Sequence, residues 1–205
     1  MDTLHCRSRR GARSVSIRRI EPTDAEPLRA FYAGLSPESR RRRFLGPSPG
    51  LSLADAERFA HGLGVVAVLS ERGPRDGELI GHACLPLVEL GLAEIAFAVG
   101  DEFQGQGIGR LLLDAAIAAA REAGVTRVVA SMFVDNPAIH RLLLGTGLPH
   151  RRMSAAGGVD AIEIELGAGL KDPIERMPKD TSAQRLRPAQ RGRSAHPAAA
   201  QPAVP

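Results

Sequence analysis

Residues 93–124 read AEIAFAVGDEFQGQGIGRLLLDAAIAAAREAG, and this stretch decides how the rest of the chain is read. It opens as a strand, because apolar and small residues alternate from Leu92 to Val99. It closes as a helix from about Gly107 to Ala123, stopped by Gly124. Between them lies the glycine-rich turn Gln104-Gly105-Gln106-Gly107-Ile108-Gly109. Glycines here let backbone N–H groups turn inward beside the positive end of a helix dipole, a concave donor set suited to a phosphate or pyrophosphate. The dinucleotide fingerprint G-x-G-x-x-G is absent, since after Gly105 and Gly107 the sixth position is Arg110. A Walker A loop is also excluded, because no lysine follows the glycines.

Along the strand, Ile95, Phe97 and Val99 face one way, while Glu94, Ala96 and Ala98 face the other. A carboxylate aligned with two alanines suggests a face against which a ligand can lie. Glu94 is then either a base for a reaction on that face or a surface residue at a strand end.

The turn resembles motif A of the GNAT N-acetyltransferase superfamily, Gln/Arg-x-x-Gly-x-Gly/Ala, with Gln104, Gly107 and Gly109 in its defined positions. The resemblance implies an α/β fold of the GNAT acyl-CoA N-acyltransferase type, a mixed sheet with helices. It implies acetyl-CoA as co-substrate, with no metal, and Glu94 as the general base in the A-E-I-A-F strand. It implies acetyl-CoA contacts from Phe97, Ala98 and Val99 and from Gln104, Gly105, Gln106, Gly107, Ile108, Gly109 and Arg110. The stretch Asp135 to Leu148 resembles motif B, which adds Asn136 to those contacts. Many members carry a tyrosine seven residues after that asparagine as general acid; here the position is Leu143.

Ile17 to Glu26, with Leu35-Ser36-Pro37-Glu38-Ser39-Arg40 and Arg43-Phe44, resembles the bacterial Pat-type protein-lysine acetyltransferases. The expected activity is therefore direct acetyl transfer to a primary amine in a ternary complex, preferably to a protein lysine. The rivals are a small amine or antibiotic as acceptor, and an acyl-CoA-binding regulatory module without turnover. A homodimer is consistent with the family.

The remaining sequence frames one domain over 14–167, between tails at 1–13 and 168–205 that read as disordered. The tails carry the positive balance of a chain whose net charge is +4, so a nucleic-acid role would rest on them, since the core lacks a net basic balance; solvated tails are the expected reading. No apolar run reaches membrane-span length, and the basic N-terminus lacks a following apolar stretch, so a cytoplasmic enzyme is expected. The two cysteines, Cys6 and Cys84, make no disulfide framework or metal spacing. His82 and Cys84 share a strand face, which leaves a Cys–His nucleophile pair conceivable; Tyr32 reads as a packing residue and Arg40–Arg43 as a solvated helix face. Both lysines, Lys171 and Lys179, fall in the C-terminal tail.

Predicted strands are 15–20, 64–69, 79–87, 92–99, 127–134, 148–153 and 161–166. Predicted helices begin at Thr23 or Asp24, Ser36, Ser52, Gly107 and Asn136.

Overall fold

The computed structural model describes residues 4–7, 14–70, 73–154 and 157–167. Two strands, β1 (Leu4–Arg7) and β2 (Ser14–Arg19), precede three helices, α1 (Ala25–Gly34), α2 (Pro37–Phe44) and α3 (Leu53–Ala60). Next come β3 (Gly64–Leu69), β4 (Leu79–Cys84), β5 (Leu87–Glu89), β6 (Leu92–Glu94) and β7 (Ala96–Val99). The helix α4 (Ile108–Glu122), β8 (Arg127–Phe133), α5 (Pro137–Leu144), β9 (His150–Ser154) and β10 (Val159–Glu165) complete the order.

Three departures from the sequence reading matter. Leu4–Arg7, expected inside a disordered tail, forms an antiparallel strand against β2, satisfying the backbone edge that β2 would otherwise leave open. The other residues expected in the two tails lie outside the described residues. The run 79–87 divides into β4 and β5, because Pro86 has no N–H to give to a ladder. The run 92–99 divides at Ile95 into β6 and β7.

That second division creates two sheets. The first runs β1-β2-β3-β4-β7 and is antiparallel throughout. The second runs β5-β6-β8-β10-β9 and contains one parallel pair, β6 with β8. Ile95 stands at the junction, its N–H donating to the Val129 carbonyl at 2.8 Å.

Both faces of the first sheet are covered. Ile108, Leu112, Ala116 and Ala120 recur every fourth residue on α4, and with Leu113 and Ile117 they bury one face of that helix against the sheets. On the opposite face Leu28 and Tyr32 of α1 meet Val66, Val68, Leu79 and Ala98. β3 serves both layers, with Val65, Ala67 and Leu69 toward α4 and Val66 and Val68 toward α1, which is why it reads as an unbroken apolar run. Ser36, Ser52 and Asn136 cap α2, α3 and α5 by accepting from Ser39, Asp55 and Ile139 N–H. Asp24 instead accepts from the Glu21 N–H and, through both oxygens, from Arg18. Among the described residues, no helix is long and apolar enough to cross a membrane.

Gly64, at the start of β3, sits where an added Cβ would lie 2.7 Å from the Ala83 carbonyl oxygen of the neighbouring strand. Rigid sheet backbone cannot yield as a side-chain tip can. Gly64→Ala is expected to destabilise the fold by about 1–3 kcal/mol, seen as a lower urea midpoint at unchanged m-value.

Candidate active site

The loop after β7 is built to present backbone donors. Gly105 and Gly107 adopt φ of 70° and 91°, the left-handed region that glycine enters without strain. Gly107 is the N-cap of α4, and no side chain caps the helix there, so its first N–H groups are open to a ligand. The polar side chains of the loop point elsewhere. Gln104 donates through Nε2 to the Val99 carbonyl at 3.1 Å and to Ser39 Oγ at 3.2 Å. Gln106 Nε2 donates to the Glu102 carbonyl at 2.8 Å. Arg110 reaches Asp114 at 2.8 Å and the Gly145 carbonyl at 2.7 Å, tying α4 to the end of α5. What remains is a nest of main-chain N–H groups at the positive end of a four-turn helix.

Glu94 ends β6, half-buried, where the two sheets part. Its own N–H is held by the Pro86 carbonyl at 2.9 Å. Beside it, on the α1 side of the first sheet, lies a polar cluster of Tyr32, Arg43, His82 and Cys84. Arg43 donates from Nε to the Tyr32 hydroxyl oxygen at 3.1 Å and from Nη2 to Cys84 Sγ at 3.0 Å. Tyr32 and His82 Nδ1 are 3.1 Å apart. Arg43 also lies 5.0 Å from the ring of Phe44 and interacts electrostatically with Glu94.

With this geometry in hand, comparison with known proteins is decisive about family. The profile of the Acetyltransferase (GNAT) family matches residues 26–145, more than half of the chain. This chain belongs to the GNAT acetyltransferase family. The acetyltransferase PA5475 of Pseudomonas aeruginosa is 32% identical over 152 residues, covering 68% of this chain and 77% of that protein. The acetyltransferase Pat of Mycolicibacterium smegmatis is 44% identical over 52 residues, a match spanning 25% of this chain and only 16% of the mycobacterial protein. Among solved structures, the GNAT domain of S. lividans PAT superposes with a TM-score of 0.68 at 30% identity, covering 80% of this chain and 96% of that domain.

Within this GNAT domain the sequence-predicted residues separate into two groups. Glu94, Phe97, Ala98, Val99 and the 104–110 loop are contiguous around the parting of the sheets and the start of α4. Asn136 is buried, and its side-chain oxygen caps α5 through the Ile139 N–H at 3.5 Å. Leu143 is fully buried in the main core. The conceivable Cys84–His82 pair is not formed. Cys84 Sγ lies 3.6 Å from the Ala96 carbonyl and takes the Arg43 bond, while burial pushes its thiol pKa up.

Sequence reasoning missed Arg43 as a structural residue. Arg42 lies exposed against Glu38, as a solvated face should, while Arg41 shares Glu38 but is half-buried with its guanidinium 4.3 Å from the Phe133 ring. Arg43 turns inward, and the only sequence signal is its pairing with Phe44 at the end of a helix otherwise without apolar residues.

Donor chemistry orders the buried cluster. Arg43 can only donate, so the Tyr32 oxygen accepts from it, and the arrangement that gives the Tyr32 O–H an acceptor has it donating to His82 Nδ1. His82 is then the neutral Nε2–H tautomer, and Nε2 has no hydrogen-bond partner among the described residues. Burial, followed by the Arg43 charge, holds the His82 pKa down to about 3, and burial pushes Tyr32 up to about 12.

Because the folded chain refuses a proton at His82 until about pH 3, the unfolded chain binds more protons below the ordinary value of 6.5. Stability is therefore intact above pH 6.5 and falls as pH drops through this window, by up to about 1.4 kcal/mol per pH unit. In His82→Gln the amide oxygen still accepts from Tyr32 but does not titrate. Urea midpoints at about pH 7 and about pH 5.5 should fall further for the wild type than for the variant; equal losses would remove His82 as the cause.

Proposed function

We propose that the chain moves an acetyl group from acetyl-CoA to a primary amine, preferably a protein lysine, with Glu94 as general base. The observation that carries this reading is the uncapped, backbone-lined start of α4 immediately beside the parted sheets that present Glu94. Pyrophosphate is the anion such a nest suits, and the strand leading into it supplies a second contact. β7 is an edge strand of the first sheet. Its Val99 carbonyl faces the open edge, where Gln104 takes it, and alternation turns the Phe97 N–H and carbonyl the same way. An amide-bearing pantetheine arm can pair with Phe97 there as an added strand would; Ala98, expected to leave room for it, is instead buried under α1. The loop 104–110 then holds the pyrophosphate through main-chain N–H groups, while Arg110 and Asn136 act by fixing α4 and α5.

An amine attacks only when neutral, and lysine's ordinary pKa near 10.4 leaves roughly one in two thousand unprotonated at neutral pH. The neutral amine attacks the thioester carbon, and Glu94 takes, directly or through one water, the proton its nitrogen carries in excess once the new C–N bond forms. The C–S bond breaks with the electron pair on sulfur. Leu143 provides no acid for that sulfur, and a thiol with an ordinary pKa near 8.5 departs as thiolate. Similarity to PA5475 and to the S. lividans PAT domain supports the acetyl transfer, and the resemblance of Ile17–Glu26, Leu35–Arg40 and Arg43-Phe44 to Pat-type protein-lysine acetyltransferases is what favours a protein acceptor.

CoA release measured with acetyl-CoA and a panel of lysine peptides and small amines tests the reading. Turnover with a lysine peptide should fall by about 10²-fold or more in Glu94→Gln. Faster turnover with a small amine would move the acceptor class. Binding of acetyl-CoA with release on no acceptor would make the domain an acyl-CoA-binding module instead.

A further inference from the structure

Of the five α-helices described, α2 alone buries no side chain. At eight residues it is also too short to hold itself together, since helices below about 12–15 residues are marginal without tertiary packing. Beyond the packing of Phe44 on Tyr32 and of the Arg41 guanidinium over the Phe133 ring, its position rests on polar contacts at its two ends. The C-terminal end is held by Arg43, on Tyr32 and Cys84 and beside Glu94. The N-terminal end is held by the loop that opens the α4 nest.

There Asp101 accepts three bonds from the start of α2. The Ser36 N–H donates to Oδ2 at 2.8 Å, the Ser36 hydroxyl to Oδ1 at 2.8 Å, and the Ser39 hydroxyl to Oδ1 at 2.6 Å. Gln104, the first residue of the nest, donates one amide hydrogen to Ser39 Oγ and the other to the Val99 carbonyl. Ser36 Oγ accepts from the Ser39 N–H. Every proton in this set has one acceptor, so the orientation of each group fixes the next. Partial burial works against the Asp101 charge, but the bonds from Ser39 and Ser36 outweigh it and hold its carboxyl below the usual range.

We propose that Ser39 and Asp101 are positioning residues that transmit occupancy of the α4 nest to the acceptor side of the site. The inference rests on the nest being the acetyl-CoA site. An anion on the 105–109 backbone holds Asp101 and Gln104 in place; they seat Ser36 and Ser39; and α2 delivers Arg43 to its place beside Glu94. Among the described residues, Ser39 is the side chain whose hydroxyl bonds to both Gln104 and Asp101, so it carries the link. The wall that an acceptor meets is thereby assembled better when acetyl-CoA is bound than when it is not.

Hydrogen–deuterium exchange of the full chain, with CoA as the probe, reads this directly. CoA should slow exchange in peptides spanning 104–112 and also in those spanning 36–45. In Ser39→Ala the first response should persist and the second disappear; Ser39→Thr, which keeps the hydroxyl, should restore it. In parallel, Ser39→Ala should raise the KM of a lysine-peptide acceptor by about five-fold or more, with the Kd for acetyl-CoA changed by less than about two-fold. Protection of 104–112 alone in the wild type would overturn the coupling and leave the acetyl-CoA reading standing. Protection of neither segment would overturn both. The wild-type measurement decides between these outcomes without any variant.

Discussion

The hydrogen bond from the Ile95 N–H to the Val129 carbonyl is the constraint on which the rest of this architecture depends. It keeps Leu92–Glu94 paired with β8 while the next four residues pair with β4, so one continuous chain segment belongs to two sheets. Past that point β7 has a neighbour on one side only, and its other edge is open. An open strand edge within a buried sheet is costly to leave to chance, because its N–H and carbonyl groups need partners. Here one of those groups is taken by Gln104, and the rest face the region where the nest at α4 begins. The same break that leaves this edge unpaired also brings Glu94 to the junction.

Around this junction the polar groups are arranged by donor and acceptor count rather than by charge alone. Arg43 is held by a hydroxyl and a thiol, both kept protonated by burial, so its charge is not neutralised within the cluster. It also interacts electrostatically with Glu94. His82 Nε2 is buried without an acceptor among the described residues, an arrangement that ordinarily costs about 1–3 kcal/mol. The fold tolerates that cost where aromatic rings of Tyr32 and Phe59 pack edge-on to the imidazole. At the other end of α2 the serine and aspartate set is fully paired. One short helix is thus pinned by polar bonds between two parts of the site.

Much of this was legible beforehand because it is local. The strand, glycine turn and helix of residues 93–124 are written in the alternation of side chains, in glycines that accept positive φ, and in apolar residues four apart. The caps at Ser36, Ser52 and Asn136 were also legible, since a cap is made within four residues of chain. Arg43 was not legible, because its partners Tyr32 and Cys84 are 11 and 41 residues away. Apart from the Phe44 that follows it, nothing in the run Arg40–Arg43 distinguishes the arginine that turns inward from the two that pair with Glu38. The Asp101 cluster escaped for the same reason: Ser36 and Ser39 looked like an ordinary helix start, and their second role depends on a residue more than 60 positions on.

The strand breaks mark the boundary between the two kinds of information. Pro86 announces a break because it lacks an N–H, whereas Ile95 has ordinary backbone chemistry and a strand-like side chain. Its role comes from Val129 approaching in parallel register, which no local pattern records. The sequence by itself determined the glycine nest, the carboxylate before it and the family to which the chain belongs, because each is specified by neighbouring residue types. Only the tertiary structure decided that the strand divides at Ile95 and that Arg43 and Asp101 hold α2 from opposite ends. Those outcomes depend on pairings between distant segments, whose enthalpy is gained only once the sheets have closed on the two cores.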